Sequence, residues 1–167
     1  MTLPLGSWSV HTVDGADVRL RSGRIGLVSV DVKAPVTGGE LVATADAVHF
    51  TLRIALDQLK TGNFLMQAAA RTLVSRHDAV VLSYDGSGQA VGDEWHVTGT
   101  AAAGDVDLEL DLVITAIGTS TDRMDEIELV GSANVGTVHL PLPGMGTIDD
   151  FSFDVDAKLA MQPRAHA

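Results

Sequence analysis

Val48-His49-Phe50-Thr51-Leu52-Arg53-Ile54-Ala55-Leu56 alternates with period two: Val48, Phe50, Leu52, Ile54 and Leu56 share one side of an extended chain, His49, Thr51 and Arg53 the other. One face of this strand is apolar and the other wet. The chain continues through Thr61-Gly62-Asn63, whose threonine can cap a helix. Phe64 to Leu73 then runs without Gly or Pro and puts Leu65, Ala69 and Leu73 on one helical side. After Arg76-His77-Asp78, Ala79 to Tyr84 returns to a strand pattern. A single helix among strands closes a barrel end or covers a sheet edge, so a short helix is expected near residues 62–74.

Upstream, Trp8 and Val10 begin a first strand, and Val18 and Leu20 alternate with Arg19 and Arg21 in a second. Val28, Val30 and Val32 are in phase and end at Ala34-Pro35, Thr37-Gly38-Gly39 reads as a loop, and Leu41, Ala43 and Ala45 alternate again. Downstream, Asp85-Gly86-Ser87-Gly88 reads as a flexible loop, and Trp95 and Val97 are in phase. Alternation is clearest where Val106, Leu108, Leu110, Leu112 and Ile114 face away from Asp105, Asp107, Glu109 and Asp111. Ile127 and Leu129 form another set, Pro141 to Gly146 reads as a loop or sheet rim, and Phe151, Phe153, Val155, Ala157 and Leu159 close the series. About eight amphipathic strands separated by turn residues predict an all-β, antiparallel eight-stranded barrel in one domain spanning residues 1–167. Closure would leave one apolar face inside and no exposed edges.

A chain of 167 residues buries roughly two-thirds of its unfolded surface, enough for a core without staples. The absence of cysteine excludes disulfides, thiol catalysis and cysteine-held metal. Twenty-two acidic against eleven basic residues give a net charge of −11, which repels nucleic acid and anionic membrane surfaces. Met1 to Ser7 has neither the basic start nor the apolar run of a signal peptide, and no later segment approaches a membrane span. A soluble, cytoplasmic protein is expected.

The order of strands, Thr61-Gly62-Asn63, helix and returning strand resembles the YceI-like family of lipocalin-like polyisoprenoid-binding proteins. Gly6-Ser7-Trp8-Ser9-Val10 is similar to that family's opening, Leu59-Lys60-Thr61-Gly62-Asn63 to its serine-leucine-x-threonine segment, and Trp95-His96-Val97-Thr98-Gly99-Thr100 to its later strand ending in glycine. The closing Phe151 to Ala157 extends the resemblance to nearly the whole chain. Val10 to Asp14, Leu65 to Ala68 and Thr72 to His77 depart from the family's pattern. The resemblance implies an eight-stranded, lipocalin-like barrel whose apolar interior holds a long isoprenoid or similar amphiphile, and a chain that forms homodimers.

On that reading Phe50, Leu52, Ile54, Leu82, Trp95, Val97, Leu108, Leu110, Leu112, Phe151 and Phe153 contact the ligand's tail, and Phe64, Leu65, Met66 and Leu73 form either a movable lid or an ordinary plug on the barrel end. The same rows also suit a solid core, because protein interiors are close-packed. The expected partner is an apolar small molecule or lipid, with no cofactor besides a bound isoprenoid. Six histidines, His11, His49, His77, His96, His139 and His166, lack HxH or HExxH spacing, so no metal site is expected. The acidic row of residues 105–111 lacks the glycine and distal glutamate of a calcium loop, and Arg19 and Arg21 could pair with it across strands. No nucleophile elbow, Walker loop or dinucleotide fingerprint occurs, and the chain is not expected to be an enzyme. Two alternatives stay open: a filled barrel acting as a non-catalytic interaction or stress-related module, and a small lumen enzyme drawing on His11, Arg53 and Tyr84.

Overall fold

Alternation in the sequence becomes a wall with two faces. The computed structural model of the protein describes residues 4–11, 16–25, 28–58, 81–103, 106–119, 124–140 and 146–163. In chain order these form β1 (Gly6–Val10), β2 (Asp17–Ile25), β3 (Val28–Ala43), β4 (Val48–Ala55), a 3₁₀ turn (Leu56–Gln58), β5 (Val81–Val91), β6 (Glu94–Ala103), β7 (Val106–Ile117), β8 (Glu126–Leu140) and β9 (Gly146–Pro163). From β2 to β9 each strand pairs antiparallel with the next, and β9 returns to β2, so the sheet closes as an up-and-down barrel. β1 and β2 share one wall position, both lying antiparallel between β3 and β9. Nine strands therefore fill eight positions, and the expected eight-stranded antiparallel barrel is what the chain forms. The His11 amide donates to the Ala160 carbonyl and the Val36 amide to that of Ala16, both at 2.8 Å, fixing the two sides of the β1–β2 interruption.

Register shows how strongly the strands tilt. Starting from Trp8, partners run through Leu41, Phe50, Gly86, Gly99, Leu110 and Ala133 to Phe153 on β9. Trp8's own partner on β9 is Pro163, ten residues further on, so the sheet closes with a stagger of ten. Strands curled this tightly bring backbones close together. A Cβ on Gly88 would run into the His96 carbonyl, and one on Gly99 into the Asp85 carbonyl.

These glycines explain one departure from the sequence expectation. Asp85-Gly86-Ser87-Gly88, expected as a loop, lies within β5, paired with both β4 and β6. Pro35 and Thr37-Gly38-Gly39 likewise do not end a strand, since β3 passes through them with a register shift between Val36 and Gly38. The helix expected near 62–74 lies outside the described residues, and no helix longer than the 3₁₀ turn occurs among those described.

The inward face of β4 agrees with its sequence pattern: Val48, Phe50, Leu52 and Ile54 are buried while His49 and Arg53 are exposed. β6 follows with Trp95 and Val97, and β7 with Leu110, Leu112 and Ile114. Together with β1, β3, β8 and β9 they build one apolar core inside the barrel, each fully buried large side chain contributing roughly 1.5–3 kcal/mol.

Candidate functional site

The lumen has two unlike halves. One lies toward the short β3–β4 and β5–β6 turns, where Trp8, Leu41, Phe50, Trp95, Ile114, Ile127, Leu129 and Leu159 are each at most 2% exposed. Three large aromatic rings and branched aliphatic side chains fill this half at the density of a core. The other half lies toward the β2–β3, β4–β5, β6–β7 and β8–β9 connections, where the described inward residues include the small Ala34 and Ala101. There a partly enclosed cavity of about 50 Å³ is bounded by Val18 and Leu20 of β2, Ala34 of β3, Ile54 of β4, Leu56 of the 3₁₀ turn, Leu82 of β5, Ala101 of β6, Leu110 of β7 and Val155 of β9. Among the described residues the lining comes from β2, β3, β4, β5, β6, β7 and β9, and it presents no polar atom to the space.

Burial grades from wall to rim. Val18, Ala34, Ala101 and Val155 are buried, whereas Leu20, Leu56 and Leu82 are half-buried and form the rim of the cavity. Next along β5 from Leu82 stands Tyr84, also buried, its ring tilted against Phe50 at a centroid distance of 6.1 Å. The Tyr84 hydroxyl donates to the Leu110 carbonyl at 3.0 Å, across the barrel wall from β5 to β7. Gly86 leaves room for it, since a Cβ there would meet the same hydroxyl. Desolvation raises the Tyr84 pKa well above its ordinary value of 10.0, and the negative charges of Asp111 and Asp85 add to the effect. This hydroxyl stays protonated and bonded to the wall instead of facing the cavity.

Of the tail-contacting residues expected from sequence, Ile54, Leu82 and Leu110 border the cavity. Phe50, Leu52, Trp95, Val97 and Leu112 are also inside the barrel, as part of the core. Pairing puts Leu108 opposite Ala101, Phe153 opposite Ala133 and Phe151 opposite Gly136, but their side chains are outside the described set. Phe64 and Leu65 lie outside the described residues altogether. Val18, Leu20, Ala34, Leu56, Ala101 and Val155 are the other described lining residues, not among the ligand contacts expected from the sequence. Val18, Leu20, Leu56 and Val155 carried the right alternation signal, but the alanines carried almost none.

On the outer face, described polar groups form pairs. His49 Nε2 and Asp85 Oδ1 are 2.7 Å apart, and His96 Nε2 and Glu94 Oε2 are 3.2 Å apart, all four exposed or half-exposed. Arg21 pairs with Asp156 at 3.1 Å and not with the acidic row of β7, because the neighbour of β2 is β9. No group of three or more metal-binding side chains occurs among the described residues. His11 and Arg53 are exposed while Tyr84 is inside, so the wall separates these three lumen-enzyme candidates.

The fold and this cavity define a class: a closed up-and-down antiparallel β-barrel, solid in one half of its lumen and holding an apolar hollow in the other. The sequence matches no protein-family model, and no curated protein is similar enough to count as a relative. No helix among the described residues is long and apolar enough to cross a membrane.

Proposed function

We propose that this barrel binds, stores or carries a long apolar or amphiphilic molecule of the polyisoprenoid or isoprenoid-quinone kind, and performs no chemistry on it. The apolar end of the molecule sits in the cavity, and the rest of the chain passes the Leu20, Leu56 and Leu82 rim. One observation carries this reading: aliphatic side chains from β2, β3, β4, β5, β6, β7 and β9 surround one space, and the described lining turns no polar surface toward it. Each methylene transferred there from water gains about 0.8 kcal/mol, so the buried chain end contributes to affinity without a hydrogen bond. The resemblance to YceI-like proteins points to the same ligand class. On this reading the protein works in the cytoplasm, as a homodimer, with neither nucleic acid nor membrane insertion involved.

The packed half of the lumen favours a second reading, a barrel that acts through its outer surface as a non-catalytic interaction module. Native mass spectrometry of protein purified without added lipid separates the two. A co-purifying isoprenoid, or uptake of an added quinone or polyprenol, supports carriage, whereas reproducibly empty protein that takes up neither supports the interaction module. Leu110→Arg puts a charge into the cavity wall and abolishes uptake with the circular dichroism spectrum retained. Undiminished uptake by that variant would contradict the proposal.

A further inference from the structure

In the described lining of the cavity, two alanines stand among Val, Leu and Ile. Ala34 pairs with Val18, and Ala101 with Tyr84 and Leu108. At 1% and 2% exposure both alanines are fully enclosed, so their small side chains are matched by space within the barrel and not by solvent. Building on the ligand reading above, we infer that Ala34 and Ala101 make the hollow and thereby determine the part of a ligand it accepts: a hydrocarbon chain end of one branched unit, tail first.

The size of the space sets that limit. At ~10–15 Å³ per water-sized sphere, a cavity of about 50 Å³ holds about four heavy atoms. The branched (CH3)2C=CH– end of a prenyl chain, four carbons, fits this measure; a folded long chain or a head group does not. The described lining offers no hydrogen-bond partner, and the nearby Tyr84 hydroxyl is already committed to Leu110. A polar group arriving there would lose its water without replacement. The molecule's polar end must remain beyond the Leu20, Leu56 and Leu82 rim.

Calorimetric titration with farnesol and with its ω-hydroxylated form, on the wild type and Ala101→Leu, tests the inference, with denaturant unfolding of the unliganded proteins as a second readout. The added isopropyl group of Ala101→Leu takes up the space of two or three ligand carbons, so farnesol affinity falls about tenfold to fiftyfold. Its unfolding midpoint stays level or rises, because the group enters a void. The wild type binds ω-hydroxyfarnesol about tenfold or more weakly than farnesol. A folded Ala101→Leu protein that binds farnesol as the wild type does, or a wild type indifferent to the ω-hydroxyl, overturns the inference. A wild type that binds neither farnesol nor geranylgeraniol overturns the ligand reading itself. The cavity assignment then stands or falls on the unfolding midpoint of Ala101→Leu. If that variant does not fold, Ala34→Val, a smaller addition to the same space, carries both comparisons.

Discussion

The two halves of the lumen are built from the same wall yet have opposite contents. In one, Trp8, Trp95 and Phe50 converge with leucines and isoleucines until the space is full. In the other, the described lining has no aromatic residue and includes Ala34 and Ala101, and a hollow results. A closed sheet of eight positions has an interior that side chains just fill or that admits one small ligand. Here the choice is made by side-chain size along each strand, not by strand number.

Mutations should therefore have unequal costs across the barrel. The largest effect is expected for Trp95→Ala, which opens a void in the packed half and costs about 3–5 kcal/mol in denaturant unfolding. The equivalent truncation at the rim of the open half, Leu82→Ala, costs about 1 kcal/mol, since that side chain is half-buried and already borders empty space. Similar losses at both sites would erase the distinction between the halves.

Tyr84→Phe tests the boundary between them. The variant keeps the ring against Phe50, gives up the bond to the Leu110 carbonyl and costs about 1 kcal/mol at neutral pH. The phenol's pKa is raised on folding, so the unfolded chain ionises first as pH climbs past the ordinary value of 10.0. Tyr84's contribution is present in full below that pH and is lost above it. The stability difference between wild type and Tyr84→Phe consequently shrinks in alkaline titrations, and a difference that stayed constant would place the hydroxyl in water. The smallest effect is expected outside the barrel. Arg21→Ala, which removes an exposed ion pair with Asp156, changes unfolding by less than about 1 kcal/mol and by less still in high salt.

The sequence made the packed half far easier to read than the open one. Period-two alternation identifies the inward residues of β4, β6 and β7 because Phe50, Leu52, Trp95, Val97, Leu110 and Leu112 are large and their neighbours polar. Alanine is nearly neutral in such a pattern, so Ala34 and Ala101, which give the cavity its volume, leave no mark on it. Glycine misleads in a related way: Gly86 and Gly88 signal a loop locally, yet they are needed where β5 coils tightly against its neighbours. The contact between Arg21 and Asp156 depends on closure between β2 and β9, strands more than a hundred residues apart in the chain. No local pattern encodes that distance.

Methyl-resolved NMR during a farnesol titration tests the account most directly. The methyl signals of Ile54, Leu82, Leu110 and Val155 should shift with ligand, while those of Ile114, Ile127, Leu129 and Leu159 stay in place. Shifts centred on the second group, or no shift in either, would contradict a barrel that is solid in one half and receptive in the other.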